Sequence, residues 1–508
     1  MMRRSVTTLF LFKKDLSYLT DDLVVGNFID GKFGIVAKGR EIIVSSPSNE
    51  KQLKLRHALF STTAVEVDVA VGAARHCYES TWKHSTPEMR SNALRHIASL
   101  IRENATRLAQ LDSLSCGLCL ADSKVSMESC ASCFDFFASI VWSSQGKVLP
   151  SVLQGSAHST SVLQPLGVWG LITPFNYPLE MGVWKIAPAI AAGNTVVWKP
   201  PEVAPLSGIL LSKLLGESSA DVIPKGLINI VHGYGNDCGA ALCGHPDVDG
   251  VSFTGSIPAG KAVQVSAAQS NLKRVNLELG GNAPAIVAAD YDLQKAATAL
   301  VTGCFTNSGQ SCTSTRRIFV PKEKHMEFLE IAGTLAAERK LGHALDIGVT
   351  QGPMIDGHPL NRAMEAVDDA VKKDNAAVVV GNFRPTFPCG YFLAPTIITG
   401  MKHTAPIVAN ELFAPVMCVV PYDTIDDAIK MANDSKYGLS ANAFTNHIDL
   451  ARRFSTELHA GTVWINGVDA MNGVTPFGGV KMSGYGKDLG EASLASYSNV
   501  KTITTVVG

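Results

Sequence analysis

From residue 162 to residue 279, short β-branched runs alternate with amphipathic stretches, a pattern that few folds can absorb. The runs cover residues 168–173, 195–198, 228–231 and 251–254, each followed by a segment with helical spacing. Such alternation marks a parallel sheet whose strands are joined by crossover helices. The pattern resumes near Pro284 and continues past Ile465, with strand-like runs at 317–320, 378–380 and 416–420, and predicts a second α/β domain. Ahead of both, residues 62–120 carry apolar side chains at helical spacing (Leu94, Ile97, Leu100, Ile101), behind a short strand region near Asn27 to Phe33. A chain of 508 residues exceeds one ordinary core, so two or three domains are expected, and without a long linker they must pack together.

Composition excludes some partners. Charged residues are 18% and the formal net charge is −1, which speaks against nucleic acid and anionic membrane surfaces. No apolar stretch reaches the ~18 residues of a membrane span; the longest, 186–198, contains Asn194 and lies between Lys185 and Lys199. Eleven cysteines, an odd number, suit a reducing compartment and free thiols. Cys116, Cys119, Cys130 and Cys133 have roughly the spacing of a four-thiolate zinc site. The intervening LADSKVSMES lacks a glycine-rich turn, and the flanks LAQLDSL and FDFFASIV read as helices, so these are taken as small buried residues and no metal is expected. The N-terminal MMRRSVTTLFLFKK has Arg3, Arg4, Lys13 and Lys14 and no acid before Asp15, as in a short mitochondrial presequence or a solvated tail. The expected location is the cytoplasm, or the mitochondrion if this segment is a presequence.

In an open α/β sheet, ligands bind beyond the carboxyl ends of the strands. That rule selects Thr173, Pro174 and Asn176, then Lys199 and Glu202, then Gly235, then Thr254, Gly255, Ser256 and Gly260. In FTGSIPAG a strand runs into a helix beginning near Ser256, whose free N–H groups and dipole suit a pyrophosphate; Ser256 also reads as a plain N-cap. Gly233-Tyr-Gly-Asn-Asp-Cys238 lacks the third glycine of the dinucleotide fingerprint and reads as a loop. Glu278, beside Leu279 in the apolar VNLELGG, needs a role or a partner to be tolerated, and burial would raise its pKa toward that of a general base. Cys312 in NSGQSC is a candidate nucleophile, although a lone cysteine ordinarily reads as a small buried residue.

Six segments then carry a resemblance: LITPFNYPLEMGVWKIAPAIAAGNTVVWKPPE, VSFTGSIPAG, LELGGNAPAIV, NSGQSC, ELFAPV and TPFGGVKMSGYG. In content and order they resemble the aldehyde dehydrogenase superfamily, over nearly all of the chain after about residue 25. The resemblance implies a Rossmann-like cofactor domain (residues 21–145 and 166–279), a second α/β catalytic domain (280–485), and a small β oligomerisation hairpin (146–165 with 486–508). Residues 1–20 would be the tail or presequence. It implies a homodimer or homotetramer, and NAD in preference to NADP.

By the same resemblance, Cys312 forms the thioester, Glu278 activates the water that releases the acid, and Asn176 with the Cys312 N–H holds the oxyanion. Lys199 and Glu202 hold the adenosine ribose, Glu411 the nicotinamide ribose, and Phe413 walls the nicotinamide; Asn410 stands where the family often has a second acid. Members that pass the acyl group to coenzyme A lack the Glu matching Glu278, which favours hydrolysis here. Tyr177, Met181 and Trp184 recur at i, i+4 and i+7, a spacing that ordinarily means core. In the family that stripe lines the aldehyde channel, with Phe477 at its entrance. Aromatic walls, with Glu180 beside them, point to an amino or trimethylammonio aldehyde, a medium-chain or aromatic aldehyde being the other reading. Acyl-coenzyme A formation and a catalytically silent structural protein on the same fold are the competing functions.

Overall fold

In the computed structural model, which describes residues 16–34, 39–143, 146–150 and 157–506, the apolar runs become sheet strands buried on both faces. Val168–Ile172, Thr195–Lys199 and Ile228–Ile230 pair in parallel toward one edge, and Gly250–Gly255 and Arg274–Leu279 toward the other. Strand order therefore reverses between Val168–Ile172 and Gly250–Gly255, leaving the crevice at which open α/β sheets bind ligands. The hairpin Asn27–Ile29 and Lys32–Gly34 closes one edge antiparallel.

Two apolar layers cover this sheet. Helices Pro87–Glu103, Ala105–Cys116, Leu120–Ile140, Pro178–Ala191 and Leu206–Gly216 pack on Trp169, Leu171 and Trp198, while Ala64–Ser80 and Ile257–Ser270 pack on Val168, Val197 and Phe253. The starts of several helices are written locally. Thr63 and Glu66 form a reciprocal capping box, and Ser256 and Asp292 accept the N–H groups of Ala259 and Lys295.

The second α/β unit is a seven-stranded sheet, parallel except for Ala377–Val380 at its edge. Val416–Tyr422, Thr315–Pro321, Ala283–Val287 and Ser440–Phe444 lie at its centre. A third sheet pairs Ser498–Val506 with Ala157–Pro165, and the latter with Lys147–Leu149; the remainder of the bridging hairpin, residues 151–156, lies outside the described residues. Gly484–Tyr485 pairs antiparallel with Arg274–Leu279, so the end of the segment assigned to the catalytic domain joins the first sheet.

Two sequence readings need adjustment. Residues 16–20 are not part of a tail: Leu16 and Leu19 are buried in the first core, and Arg107 ties this segment down through Asp22 and the Leu19 carbonyl. The apolar spacing of these leucines outweighs the basic composition before them, and residues 1–15 lie outside the described residues. Gly235–Gly239 forms one π-helical turn rather than a loop. The four clustered cysteines sit on or beside Ala105–Cys116 and Leu120–Ile140, all buried; Cys116 packs with Leu118 and Ala204, Cys130 and Cys133 in the main core. Among the described residues no cluster of His, Cys, Asp and Glu has a metal-holding arrangement, and no helix is long and apolar enough to cross a membrane.

Candidate active site

The segment that presents Cys312 is conformationally costly. Helix Leu293–Phe305 runs into Asn307, Ser308 and Gly309, all with positive φ (50°, 55° and 69°). Left-handed backbone costs the two non-glycine residues roughly 1–2 kcal/mol each. Side chains hold the turn: Asn307 Nδ2 donates to the Asn176 carbonyl (2.8 Å), Gln310 Nε2 donates to the Asn307 carbonyl (3.1 Å), and the Ile355 N–H donates to Gln310 Oε1 (2.9 Å). The turn is thereby stapled to the end of Val168–Ile172 and delivers Cys312, half-buried, to the crevice.

The Cys312 thiol donates to Glu278 Oε1 at 3.3 Å, and Thr254 Oγ1 donates to Glu278 Oε2 at 2.8 Å. Thr254 and Glu278 are register partners on adjacent parallel strands, so the sheet itself aligns donor and acceptor. Burial pushes the Cys312 thiol well above its ordinary pKa, and the facing Glu278 pushes it the same way, so the sulfur rests protonated. Burial also raises the Glu278 carboxyl, with Lys185 pulling it down and Asp488 pushing it up. A protonated thiol hydrogen-bonded to a buried carboxylate is poised for proton transfer.

Lys185 and Asp488 form a buried ion pair at 2.7 Å, 1% and 4% exposed. They line a small cavity on the side of Glu278 toward Asn276, Gly478 and Lys487. Lys185→Met leaves Asp488 buried and unpaired and is expected to destabilise the fold by about 3–5 kcal/mol, read from the urea midpoint, with Asp488→Leu recovering most of the loss in the double variant. A midpoint unmoved by the single change would show the pair to be energetically idle.

Two chambers meet at Cys312, Asn176 and Met181. One, about 360 Å³, is walled by Tyr177, Met181, Trp184 and Phe477; Trp184 and Phe477 meet edge-to-face at 5.5 Å. The sequence stripe Tyr177, Met181 and Trp184 therefore faces a cavity as well as the core. The other, about 470 Å³, is lined by Pro174, Thr254, Gly255, Ser256, Leu279, Glu411 and Phe413, with Phe175 edge-on to Phe413. Both fall in the size range of small-molecule sites.

Asn176 lies at the junction, with Nδ2 donating to the Gln310 carbonyl (3.0 Å) and Oδ1 buried without a donor. Among the described residues no acceptor takes the Cys312 N–H. Glu411 accepts the Gly281 N–H (3.1 Å), and burial raises its carboxyl to about 7. At the start of Ile257–Ser270, the Ala259 N–H is already capped by Ser256 and Pro258 has none, so fewer donors are free than the helix start alone suggests.

Thr173, Lys199, Glu202, Gly235 and Gly260 do not line this chamber. Thr173 Oγ1 accepts from Trp198 Nε1, which places Trp198 in sheet packing. Lys199 Nζ donates to Glu202 Oε2 (3.0 Å) and to the Gly233 carbonyl (2.9 Å), linking two adjacent strand ends. Gly235 opens the turn after Ile228–Ile230, and Gly260 packs against Leu279. Asn410 turns outward to Lys436 (2.8 Å).

Sequence reasoning missed Arg362 and Tyr437 in the second chamber, and Asp122 and Asp469 in the first. It also missed Lys185 and Asp488 beside Glu278. Only Lys185 left a signal: a lysine inside an apolar helical run whose burial demands a partner.

Residues 35–503 match the aldehyde dehydrogenase family. An aldehyde dehydrogenase of Davidiella tassiana is 37% identical over 483 residues, 95% of each chain. An aminoaldehyde dehydrogenase of Arabidopsis thaliana is 37% identical over 484 residues, 94% of this chain and 95% of that one. Among solved structures, betaine aldehyde dehydrogenase from Staphylococcus aureus in complex with NAD+ superposes with a TM-score of 0.91 at 34% identity, covering 99% of this chain and 97% of that one.

Proposed function

Since this chain belongs to the aldehyde dehydrogenase family, we propose that it oxidises an aldehyde to the carboxylic acid through a thioester on Cys312, with NAD as hydride acceptor. The observation that carries this reading is the Cys312, Glu278 and Thr254 chain of hydrogen bonds at the junction of two chambers, one aromatic with acidic side chains in its walls, the other at the sheet's crevice.

The second chamber fits a dinucleotide by its donor set. Glu411 is a half-buried carboxylate that accepts the Gly281 N–H, a match for the hydroxyls of a ribose. Outside the lining of that chamber, at the neighbouring strand end, Glu202, tied to Lys199, suits the diol of the other ribose and repels a 2′-phosphate, favouring NAD over NADP. Phe413 and Phe175 offer flat apolar surface to the nicotinamide. When bound, NAD supplies the hydride acceptor that turns the hemithioacetal into a thioester.

The chain's own residues do the rest. Glu278 takes the thiol proton as sulfur bonds to the carbonyl carbon, and the oxyanion so formed faces Asn176 Nδ2 and the Cys312 N–H. In the second half Glu278, having passed the thiol proton to solvent, takes a proton from water, whose oxygen adds to the thioester carbonyl; the carbon–sulfur bond breaks, the departing sulfur recovers a proton from Glu278, and the acid leaves. The same carboxylate argues against the coenzyme A alternative, and an intact nucleophile and base argue against a silent scaffold.

The substrate side favours a cationic aldehyde. Tyr177 and Trp184 provide π faces, Glu180 provides charge, and among the described residues no Lys, Arg or His lines that chamber. The exposed outer strand Ser498–Val506 of the third sheet suits pairing of two or four copies.

Reduced-cofactor formation is the test, with betaine aldehyde, 4-aminobutanal, hexanal, benzaldehyde and succinic semialdehyde, NAD or NADP, and coenzyme A present or absent. The expected result is turnover with NAD, a lower KM for the cationic aldehydes, and no acceleration by coenzyme A. No turnover with any of the five, by protein that unfolds cooperatively, would favour the silent scaffold.

A further inference from the structure

The aromatic chamber holds more acid than one ammonium needs. Glu180 is fixed on its helical wall, Oε2 accepting from Ser126 and Oε1 from Ser129, both at 2.6 Å, between Tyr177 and Trp184 on the same helix face. Asp469 comes from the other wall, beyond strand Thr462–Ile465, on left-handed backbone (φ 48°). Its Oδ1 is buried with no donor, although Thr313, next to the nucleophile, bonds to the carboxyl. Burial lifts this carboxyl to about 6. Asp122 also lines the chamber; burial raises its carboxyl and the Arg339 charge works against that rise. Two carboxylates, Glu180 on the helical wall and Asp469 on the wall nearer Cys312, thus line one cavity that no Lys, Arg or His among the described residues lines.

We propose that the chamber reads two nitrogens on one substrate: an aldehyde with a terminal ammonium, held by Glu180 between Tyr177 and Trp184, and a secondary ammonium nearer the carbonyl, held by Asp469. This is the mono-aldehyde of a linear triamine. The inference rests on the aldehyde-oxidation reading and narrows it.

The test compares kcat/KM for N-(3-aminopropyl)-4-aminobutanal, 4-aminobutanal and hexanal in the wild type, Asp469→Asn, Asp469→Glu and Glu180→Gln, with folding checked by thermal unfolding. The doubly charged aldehyde should be preferred. Asp469→Asn should lower its kcat/KM relative to 4-aminobutanal by about tenfold to a hundredfold, the range of one charge-assisted hydrogen bond, chiefly through KM, with partial rescue by Asp469→Glu. Glu180→Gln should lower both amino aldehydes relative to hexanal. Should the variants fail to fold, inhibition of wild-type hexanal oxidation decides: spermidine should compete at roughly tenfold lower concentration than butylamine. Equal kcat/KM for the one- and two-nitrogen aldehydes, an equal effect of Asp469→Asn on all three substrates, or equal inhibition by the two amines overturns the proposal. Failure of the wild type to oxidise any of the three overturns the aldehyde-oxidation reading instead.

Discussion

Cys312→Ala is expected to lower kcat/KM for every aldehyde by more than about 10⁴-fold, because no other group at the chamber junction can replace the sulfur. Ser311 and Thr313 flank it, but their hydroxyls are engaged with each other at 2.9 Å and are far weaker nucleophiles. Cys133 lines the aromatic chamber, but it is buried in the wall and burial pushes its thiol up. Cys312→Ser keeps a donor for Glu278 and should be nearly as inactive, which separates nucleophilicity from hydrogen bonding. Initial rates of reduced-cofactor formation measure both, beside thermal unfolding to establish that the variants are folded. Because burial and Glu278 hold the thiol protonated, alkylation of Cys312 by iodoacetamide in the free protein should climb steadily with pH through neutrality. Residual turnover within tenfold of wild type would remove Cys312 from the reaction.

Glu278→Gln is the second large effect: kcat should fall by about 10²–10⁴-fold, the usual contribution of a general base. Deacylation suffers most, since water must be deprotonated there, so a stoichiometric burst of reduced cofactor should precede a slow steady state. The trapped thioester should appear as added mass on the peptide bearing Cys312. The pH dependence has a definite sign. Burial raises the Glu278 carboxyl, and only its ionised form accepts a proton, so wild-type activity should be lost as pH falls through a value above the ordinary carboxylate range. Thr254→Val removes a donor to the ionised form and should move this acid limb higher. An acid limb that persists unchanged in Glu278→Gln would assign it to another group.

The Lys185 and Asp488 pair sets the field at Glu278 and is also a stability element, so its variants should be compared by pH profile as well as by urea midpoint. Shortening the Asp488 side chain to Ala would leave Lys185 unpaired and pull Glu278 down further, the opposite of Lys185→Met.

Much of the fold was legible because it is encoded at short range. Alternating β-branched runs and helical spacing mark the strands Val168–Ile172 through Arg274–Leu279 and their crossovers, since period and branching act within a few residues. Ser256 announces its helix by the same local logic. Cys312, Glu278 and Asn176 were legible as candidates because their neighbours form motifs, and apolar surroundings make a lone carboxylate conspicuous. The misread residues, 16–20, had local cues pointing two ways: basic composition toward a tail, leucine spacing toward the core.

What only tertiary structure decided is which distant residues share a space. Glu278 meets Cys312 across 34 positions and Lys185 meets Asp488 across 303. Asp469 enters the chamber that Glu180 and Asp122 reach from helices more than half the chain away. Each residue taken alone carries no mark of its partner, because pairing follows from sheet order and from the packing of one domain on another. The sequence by itself determined the strands, the helix starts and the type of chemistry; the pairing that sets the charge on each group was decided when those elements closed around one cavity.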